Sequence, residues 1–449
     1  MSDIFAARSQ MAMSLAFHII FAAIGVALPL MMVIAEALWL RTHDAAYLCV
    51  AKRWAKGTAI LFAIGAVSGT VLSFELGLLW PRFMGFAGAA IGMPFSLEGF
   101  AFFTEAIFLG IYLYGWKRVS PGIHLLAGAI VAVSGLASAM FVCLVNGWMN
   151  TPTGFRLVNG QLTDINVWQA LRNPAGLPEA IHMILASYCA AGFATAGIHA
   201  LLVLRDRSNR FHQRAIAIAL LVGGSAALLQ AVSGDALARM TARNLPTKLA
   251  AMEGDFDTRS GAPLSIGGLP DVRTRQTNYS IEIPDGLSLL AFHSPHATVE
   301  GLDKTPRDEW PNVVVVHIAF QIMVGIGTLL ICVSLVAAWL AWKHGPLIES
   351  PRFLRLLVLC SPLGFVALES GWVVTEVGRQ PWIIYHIMRT SDAVTTMPGL
   401  TTPMVLFTGL YLILAAVVIW LMSKHVIASP SEAEIQAIAG NEVLVHARP

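Results

Sequence analysis

The chain has 449 residues, of which 56% are hydrophobic and only 12% charged, with a formal net charge of +2 and a mean hydropathy of +0.67. A soluble domain carries about a quarter charged residues, so this composition cannot cover a water-facing surface and specifies an integral membrane protein. Near-neutral charge with scattered basic residues also excludes a nucleic-acid partner, which needs a basic stripe.

Apolar windows of about 20 residues, the length that crosses a bilayer core, fall at 12–40, 57–80, 95–116, 123–149, 178–204, 215–234, 312–342, 353–377 and 402–423. These predict an all-α integral membrane protein with nine transmembrane helices and its termini on opposite sides. The runs lack the period-two alternation of a β-barrel, and the odd count argues against a simple duplicated transporter. The first run follows Arg8 and is much longer than a signal-peptide core of about 7–15 residues, so it reads as a retained span. Cys49, Cys143, Cys189, Cys332 and Cys360 form no CxxC or CxxCH pattern, which leaves them as small hydrophobes.

With the N-terminus outside, fourteen Lys and Arg fall in cytoplasmic segments and six (Arg8, Arg82, Arg156, Arg172, Arg379 and Arg389) in short outer ones. The positive-inside rule therefore predicts an external N-terminus and a cytoplasmic C-terminus. On this reading helices one to six occupy 1–234, an extracytoplasmic loop 235–311, helices seven to nine 312–423 and a cytoplasmic tail 424–449. The long loop is rich in Gly, Pro and polar residues, as in "SGAPLSIGGLPDVRTRQTNYSIEIPDG". It is expected to be ordered or partly ordered without a core of its own, and functional.

Ionisable groups inside spans are costly and count as functional candidates. Here they are Glu36, Glu75, Glu98, Glu105, Glu369 and Glu376, with His18, His182, His199 and His317. At a rise of about 1.5 Å per residue, His182, Glu98 and Glu75 lie roughly 5 to 8 Å from the outer ends of their helices, His18 and Glu369 roughly 10 to 12 Å and Met323 about 16 Å. Groups from separate helices thus share the outer half of the membrane, as one assembled site would require. A His/Met pair such as His182 and Met323 suits a closed, electron-transferring haem, and a single ligand such as His18 or Glu369 suits an iron open to oxygen. Against this stand plainer readings: Met323 as packing, and His182, His199 and His317 as interfacial residues. Glu36, toward the cytoplasmic end of its helix, reads equally well as a snorkelling residue. Glu98 and Glu105, seven apart on one helix face, suit a proton path or a pair of protonated acids.

Near the end of the eighth span the chain reads "LESGWVVTEVGRQPWIIYHIMRT". The block "GRQPW" after a helix carrying an acid resembles subunit I of the cytochrome bd-type quinol oxidases. So do "MAMSLAFHIIF", "SLEGFAFFTEAIFLGIYLYGW", "NGWMNTPTGF", "AIHMILASYCAAG", "TKLAAMEG" and "HIAFQIMVG", and the resemblance runs to about residue 423.

That resemblance implies a bacterial inner-membrane quinol:oxygen oxidoreductase whose low-spin haem b is held by His182 and Met323. It implies two high-spin haems, haem b and haem d or a third haem b, held by His18 and Glu369, with Glu98 beside the first. Glu105, with Ser138 as neighbour, is implied to conduct protons from the cytoplasm, while Lys248 and Glu253 of the long loop are implied to bind quinol. A fixed cation at Arg379 can pair with haem propionates. Implied partners are a second large membrane subunit, with room for a small single-span one, besides quinol and oxygen. Three departures stand out: Gln321, where long-loop relatives carry arginine; Phe365, a tryptophan in some relatives; and the short loop itself. Rival readings are a cation transporter, which explains the carboxylates but not the His/Met pair or "GRQPW", and a membrane cytochrome b that does not reduce oxygen.

Overall fold

The computed structural model describes residues 2–345, 347 and 350–438; the end of the expected tail, residues 439–449 with Arg448, lies outside the described residues. Among the described residues nine helical spans are long and apolar enough to cross a membrane, in agreement with the hydropathy windows.

In chain order the helices are α1 (Asp3–Thr42), α2 (Ala45–Leu79), α3 (Pro81–Tyr114), α4 (Pro121–Asn150), the short α5 (Val167–Leu171), α6 (Gly176–Arg205) and α7 (Arg210–Asn244). The loop contributes α8 (Pro246–Glu253) and α9 (Gly286–Phe292), and then follow α10 (Val313–His344), α11 (Pro351–Cys360), α12 (Leu363–Val377), α13 (Thr390–Ala393) and α14 (Thr401–Met422). Local chemistry sets the starts. Asp44 accepts the Ala46 amide and Asn312 the Val315 amide, satisfying donors that a first turn leaves free. Proline opens α3, α4, α8 and α11, at the one helical position where its missing N–H costs nothing.

The spans are longer than their apolar windows. α1 has 40 residues, about 60 Å at 1.5 Å per residue, against a hydrocarbon core of about 30 Å, so helix ends stand clear of the lipid. The sixth span runs on to Asn244, past the boundary at 234 read from hydropathy, because its last turns are polar but still helical. The eighth span is two helices, since Pro362 removes a donor and its ring crowds the carbonyl four residues back. At that break the Ser361 hydroxyl donates to the Ala194 carbonyl, 3.2 Å away on α6.

Close backbone contacts fix how the spans pack. A Cβ added to Gly192 of α6 would lie 2.5 Å from the Gly223 Cα of α7, and one added to Gly364 of α12 would lie 2.5 Å from the Ala190 Cα of α6. One end of the bundle, the loop end, carries the N-terminus: the Leu400 amide donates to Asp3 at 3.0 Å and Arg8 to Gln380 at 3.2 Å. The opposite, tail end holds the chain after α14, where Arg53 pairs with Glu434 at 2.8 Å and donates to the Ala428 carbonyl.

The loop is built of α8, α9 and short antiparallel hairpins such as Leu264–Ile266 with Ile281–Ile283. It shares its apolar clusters with the spans: Ala250, Ala251, Met252 and Phe256 pack with Val313, Val316 and Val374.

Gly192→Val should lower the thermal unfolding midpoint of the purified complex by an amount equivalent to about 1–3 kcal/mol or more, because the new side chain meets backbone rather than a movable side chain. Gly25→Ala, whose Cβ meets nothing within 4 Å, should leave the midpoint unchanged in the same melt.

Candidate functional site

Two histidines are wired alike. His18 on α1 places Nδ1 2.9 Å from Ser68 Oγ on α2, and that hydroxyl is itself 2.9 Å from the Ile64 carbonyl. His182 on α6 places Nδ1 3.0 Å from Ser233 Oγ on α7, whose hydroxyl reaches the Gln230 carbonyl at 3.1 Å. A hydroxyl has one proton, and in each case it goes to the backbone of its own helix. Each serine therefore accepts from the imidazole, the proton is assigned to Nδ1, and Nε2 keeps its lone pair for a metal. Glycine leaves space against both rings: a Cβ at Gly69 would lie 3.1 Å from His18 Cε1, and one at Gly234 3.5 Å from His182 Cε1. Beside His182 Nε2, at 3.0 Å, is the side-chain nitrogen of Gln230, while the Gln230 Oε1 is buried without a partner.

Met323 on α10 and Glu369 on α12 complete the donor set. The Met323 sulfur faces Gly371 of α12, where an added Cβ would approach it to 3.1 Å. Glu369 carries one buried oxygen, Oε1, with no hydrogen-bond partner. An apolar cluster of Ile19, Ala190 and Leu368, joined by Leu15, Ala186, Phe365 and Trp372, flanks His18 on α1, Glu369 on α12 and the His182 face of α6. Phe365, four residues before Glu369, belongs to it.

Arg379 is 3% exposed. Its Nη2 pairs with Glu376 at 2.7 Å, but Nε and Nη1 are buried and unpartnered. Glu376 takes a second bond from Asn146 at 2.5 Å. Beside this pair Lys248 of α8 donates to Asn150 Oδ1 at 3.2 Å and to the Thr375 carbonyl at 3.4 Å, its stem lying flat on Gly378. Burial pushes the Lys248 ammonium below its ordinary value, against the pull of nearby Glu179. The chemistry of this donor set fits a haem: two imidazoles that keep an Nε2 lone pair, a thioether and a carboxylate are groups that would hold its iron, and a buried guanidinium with two idle donors would suit a propionate.

Glu253, at the other end of α8, is 3% exposed, with Oε2 unpartnered. Burial, then the charge of neighbouring Asp255, pushes its carboxyl up to about 8, opposed by the Ser265 amide. Lys248 and Glu253 are five residues apart and so about 140° apart around α8, one facing α4 and α12, the other the loop. A cavity of ≈ 310 Å³ lined by Gly254, Asp255, Arg259, Ser265 and Gln276 opens next to it.

On α3, Glu105 is buried and lies against Gly135 of α4, where an added Cβ would come within 3.3 Å of its carboxylate. Ser138 is 3.5 Å from Glu98, so the serine expected beside Glu105 belongs to the other acid. Glu75 accepts from Gln10 at 2.8 Å and from Ser14 at 2.9 Å.

Several plainer readings do not hold. Glu36 does not snorkel; it is 1% exposed and bonds His124 Nδ1 at 2.7 Å. His199 and His317 are buried, not interfacial. His199 bonds His212 at 2.8 Å, and His317 bonds the Met252 and Gly267 carbonyls at 2.8 and 3.1 Å. Gln321, one turn further along α10, accepts the Gly267 amide at 2.9 Å and donates to the Ser265 carbonyl at 3.1 Å. Sequence reasoning missed Ser68, Ser233, His124 and this clamp; the signal available was that a polar group in a span needs a partner on a neighbouring helix.

Residues 6–430 match the family described as cytochrome bd terminal oxidase subunit I. The chain is 38% identical over 443 residues, 97% of its length and 99% of the relative's, to a provisionally named cytochrome bd menaquinol oxidase subunit I of Bacillus subtilis (strain 168). It is 30% identical to the cytochrome bd ubiquinol oxidase subunit 1 of the same organism, over 95% of this chain and 94% of that one. The solved structure of the bd oxidase from Geobacillus thermodenitrificans is similar with a TM-score of 0.89 at 38% identity, over 95% of this chain and 99% of that one. The nine apolar spans, the donor set and these likenesses agree: the chain belongs to the family of cytochrome bd oxidase subunit I, whose members are subunits of quinol:oxygen oxidoreductases.

Proposed function

We propose that this chain is the haem-carrying subunit of a terminal oxidase of a bacterial inner membrane, oxidising quinol at the loop end and reducing oxygen to water. The observation that carries the reading is the matched wiring of His18 and His182, each with Nδ1 committed to a serine so that Nε2 keeps its lone pair, which at His182 accepts the Gln230 side-chain amide at 3.0 Å. In it His182 and Met323 hold the low-spin haem b, and His18 and Glu369 hold the two high-spin haems, haem b and haem d or a third haem b. Glu98 lies beside the first. The haems, when bound, supply the relay for electrons and the irons at which oxygen is reduced.

The protein's own part is to bind, orient and move protons. Glu253 has a free oxygen to take a proton from quinol on the loop side of α8, and Lys248, on the side facing α4 and α12, supplies a cation that steadies the negative charge left behind. Arg379 presents idle donors to a propionate, with Glu376 fixing its orientation. Glu105 and Glu98, on one face of α3, carry protons toward the loop end. With the loop end outside and the tail end in the cytoplasm, as the positive-inside rule favours, release outside and uptake inside build a gradient without a pump. A second large membrane subunit completes the complex, with room for a small single-span one.

His182→Ala should abolish the low-spin haem signal in a reduced-minus-oxidised spectrum of the purified complex. Ser233→Ala, which frees the ring to change tautomer, should weaken occupancy of the same haem about 10- to 100-fold, measured by haem extraction. A His182→Ala complex with a full low-spin signal would refute the assignment.

Glu253 must be ionised to accept a proton, and its carboxyl lies at about 8. Quinol oxidation should therefore rise about tenfold per pH unit below that value and level off above it. Glu253→Gln should flatten the profile and slow quinol oxidation roughly 10²- to 10⁴-fold while the haem spectrum stays intact. Lys248→Ala should slow quinol oxidation with the same spectrum; haem loss in either variant would contradict this division of labour.

A further inference from the structure

The α3–α4 seam is a ladder of polar side chains set against small residues. Glu98 meets Ser138, Glu105 meets Gly135, and the Tyr112 ring meets Gly128, where an added Cβ would come within 2.7 Å. These three α3 positions are seven residues apart, on one helix face, with steps of about 10 Å.

The ladder ends, just beneath the tail end, on a sealed group. His124, in the first turns of α4, is 2% exposed, Glu36 of α1 is 1% and Tyr112 is 0%. His124 Nδ1 is 2.7 Å from Glu36 Oε1, and its Nε2 is 2.9 Å from the Tyr112 carbonyl. Nε2 faces a carbonyl and so donates to it, while Nδ1 and the Glu36 carboxyl share a proton between them. Glu36 Oε2 and the Tyr112 hydroxyl are each buried without a hydrogen-bond partner, and the Tyr112 ring lies 4.3 Å from that of His124. Trp116 covers the group, its ring 4.1 Å from His124, with the Lys52 ammonium 4.9 Å above the indole.

A buried acid–imidazole pair is weak grounds for stability by itself, and a carboxyl oxygen and a hydroxyl buried without partners are costly if nothing uses them. From this geometry we infer that Glu36, His124 and Tyr112 form the intake station through which protons from the tail-end water reach Glu105; the inference rests on the oxidase reading above.

A proton from tail-end water lodges on the hydrogen-bonded Glu36–His124 pair. It leaves through Oε2 to the Tyr112 oxygen, and Tyr112 releases its own hydroxyl proton toward the Glu105 carboxylate. The step of about 10 Å between them is bridged by water. One proton moves inward, and Glu36, His124 and Tyr112 end as they began.

The test uses the complete complex, its partner subunit included, in vesicles with a pH-sensitive dye, in H2O and in D2O. Glu36→Gln, Tyr112→Phe and the double variant Glu36→Gln/His124→Gln are compared with the unaltered protein; the double variant strands no charge and stands in if a single one fails to assemble. Oxygen-linked proton uptake should slow about tenfold or more in the Glu36 variants and severalfold in Tyr112→Phe, with a larger solvent isotope effect. The haem spectrum and the rate of haem reduction by quinol should stay within about twofold. A double variant with a normal spectrum and unaltered uptake would overturn the station alone, as would slowing confined to haem reduction. No oxygen-linked uptake in the unaltered complex would overturn the oxidase reading, and the station with it.

Discussion

The hydrocarbon core around the spans offers no water to an unpaired polar atom, and the rest of the structure follows from that. A helix satisfies its own backbone in lipid, but each polar side chain must find a partner on its own or a neighbouring helix or remain orphaned, at about 1–3 kcal/mol. The chain settles most of this locally. Ser68, Thr104, Thr328 and Ser370 return their hydroxyl protons to carbonyls four residues back. Orphans remain in a few places, notably Glu369 Oε1, Arg379 Nε and Nη1, Glu253 Oε2 and Glu36 Oε2, and each is in a group with a claim on a proton or a ligand.

Much of this was legible in the sequence because the membrane sharpens the signal. Nine apolar windows match nine spans among the described residues, and a histidine or glutamate within one stood out at once. Residues 353–377 read as one span although Pro362 divides it, because hydropathy does not register a missing N–H. Residues 235–244 read as loop, although α7 holds them as helix, because polarity and helicity are independent once a helix has left the lipid. The partners were less legible. Nothing in the sequence says that Ser68 meets His18 or that Ser138 belongs to Glu98 and not Glu105, since such pairings depend on the rotation of one helix against another. Glu36 and His124 are far apart in sequence and meet only because α1 packs against α4.

Glycine supplies the precision. At Gly192 and Gly223, and at Gly364 against Ala190, helices approach to backbone contact, as small residues allow where no hydrophobic force distinguishes neighbour from lipid. These contacts hold α6 against α7 and α12, and hence the faces that carry His182, Ser233 and Glu369. Gly69, Gly234 and Gly371 do something different: they leave room beside His18, His182 and Met323.

The grip of α10 on the loop ties two tasks together. His317 and Gln321 hold the backbone at Met252, Ser265 and Gly267, beside Glu253, and Met323 lies two residues beyond Gln321 on the same rigid helix. Whatever orders the loop also sets the rotation of that turn, and whatever fixes the Met323 sulfur favours the ordered loop. Such a coupling is reciprocal in free energy. Gln321 is thus a mechanical link between the loop backbone and the turn that carries Met323, through which a change at one end is felt at the other.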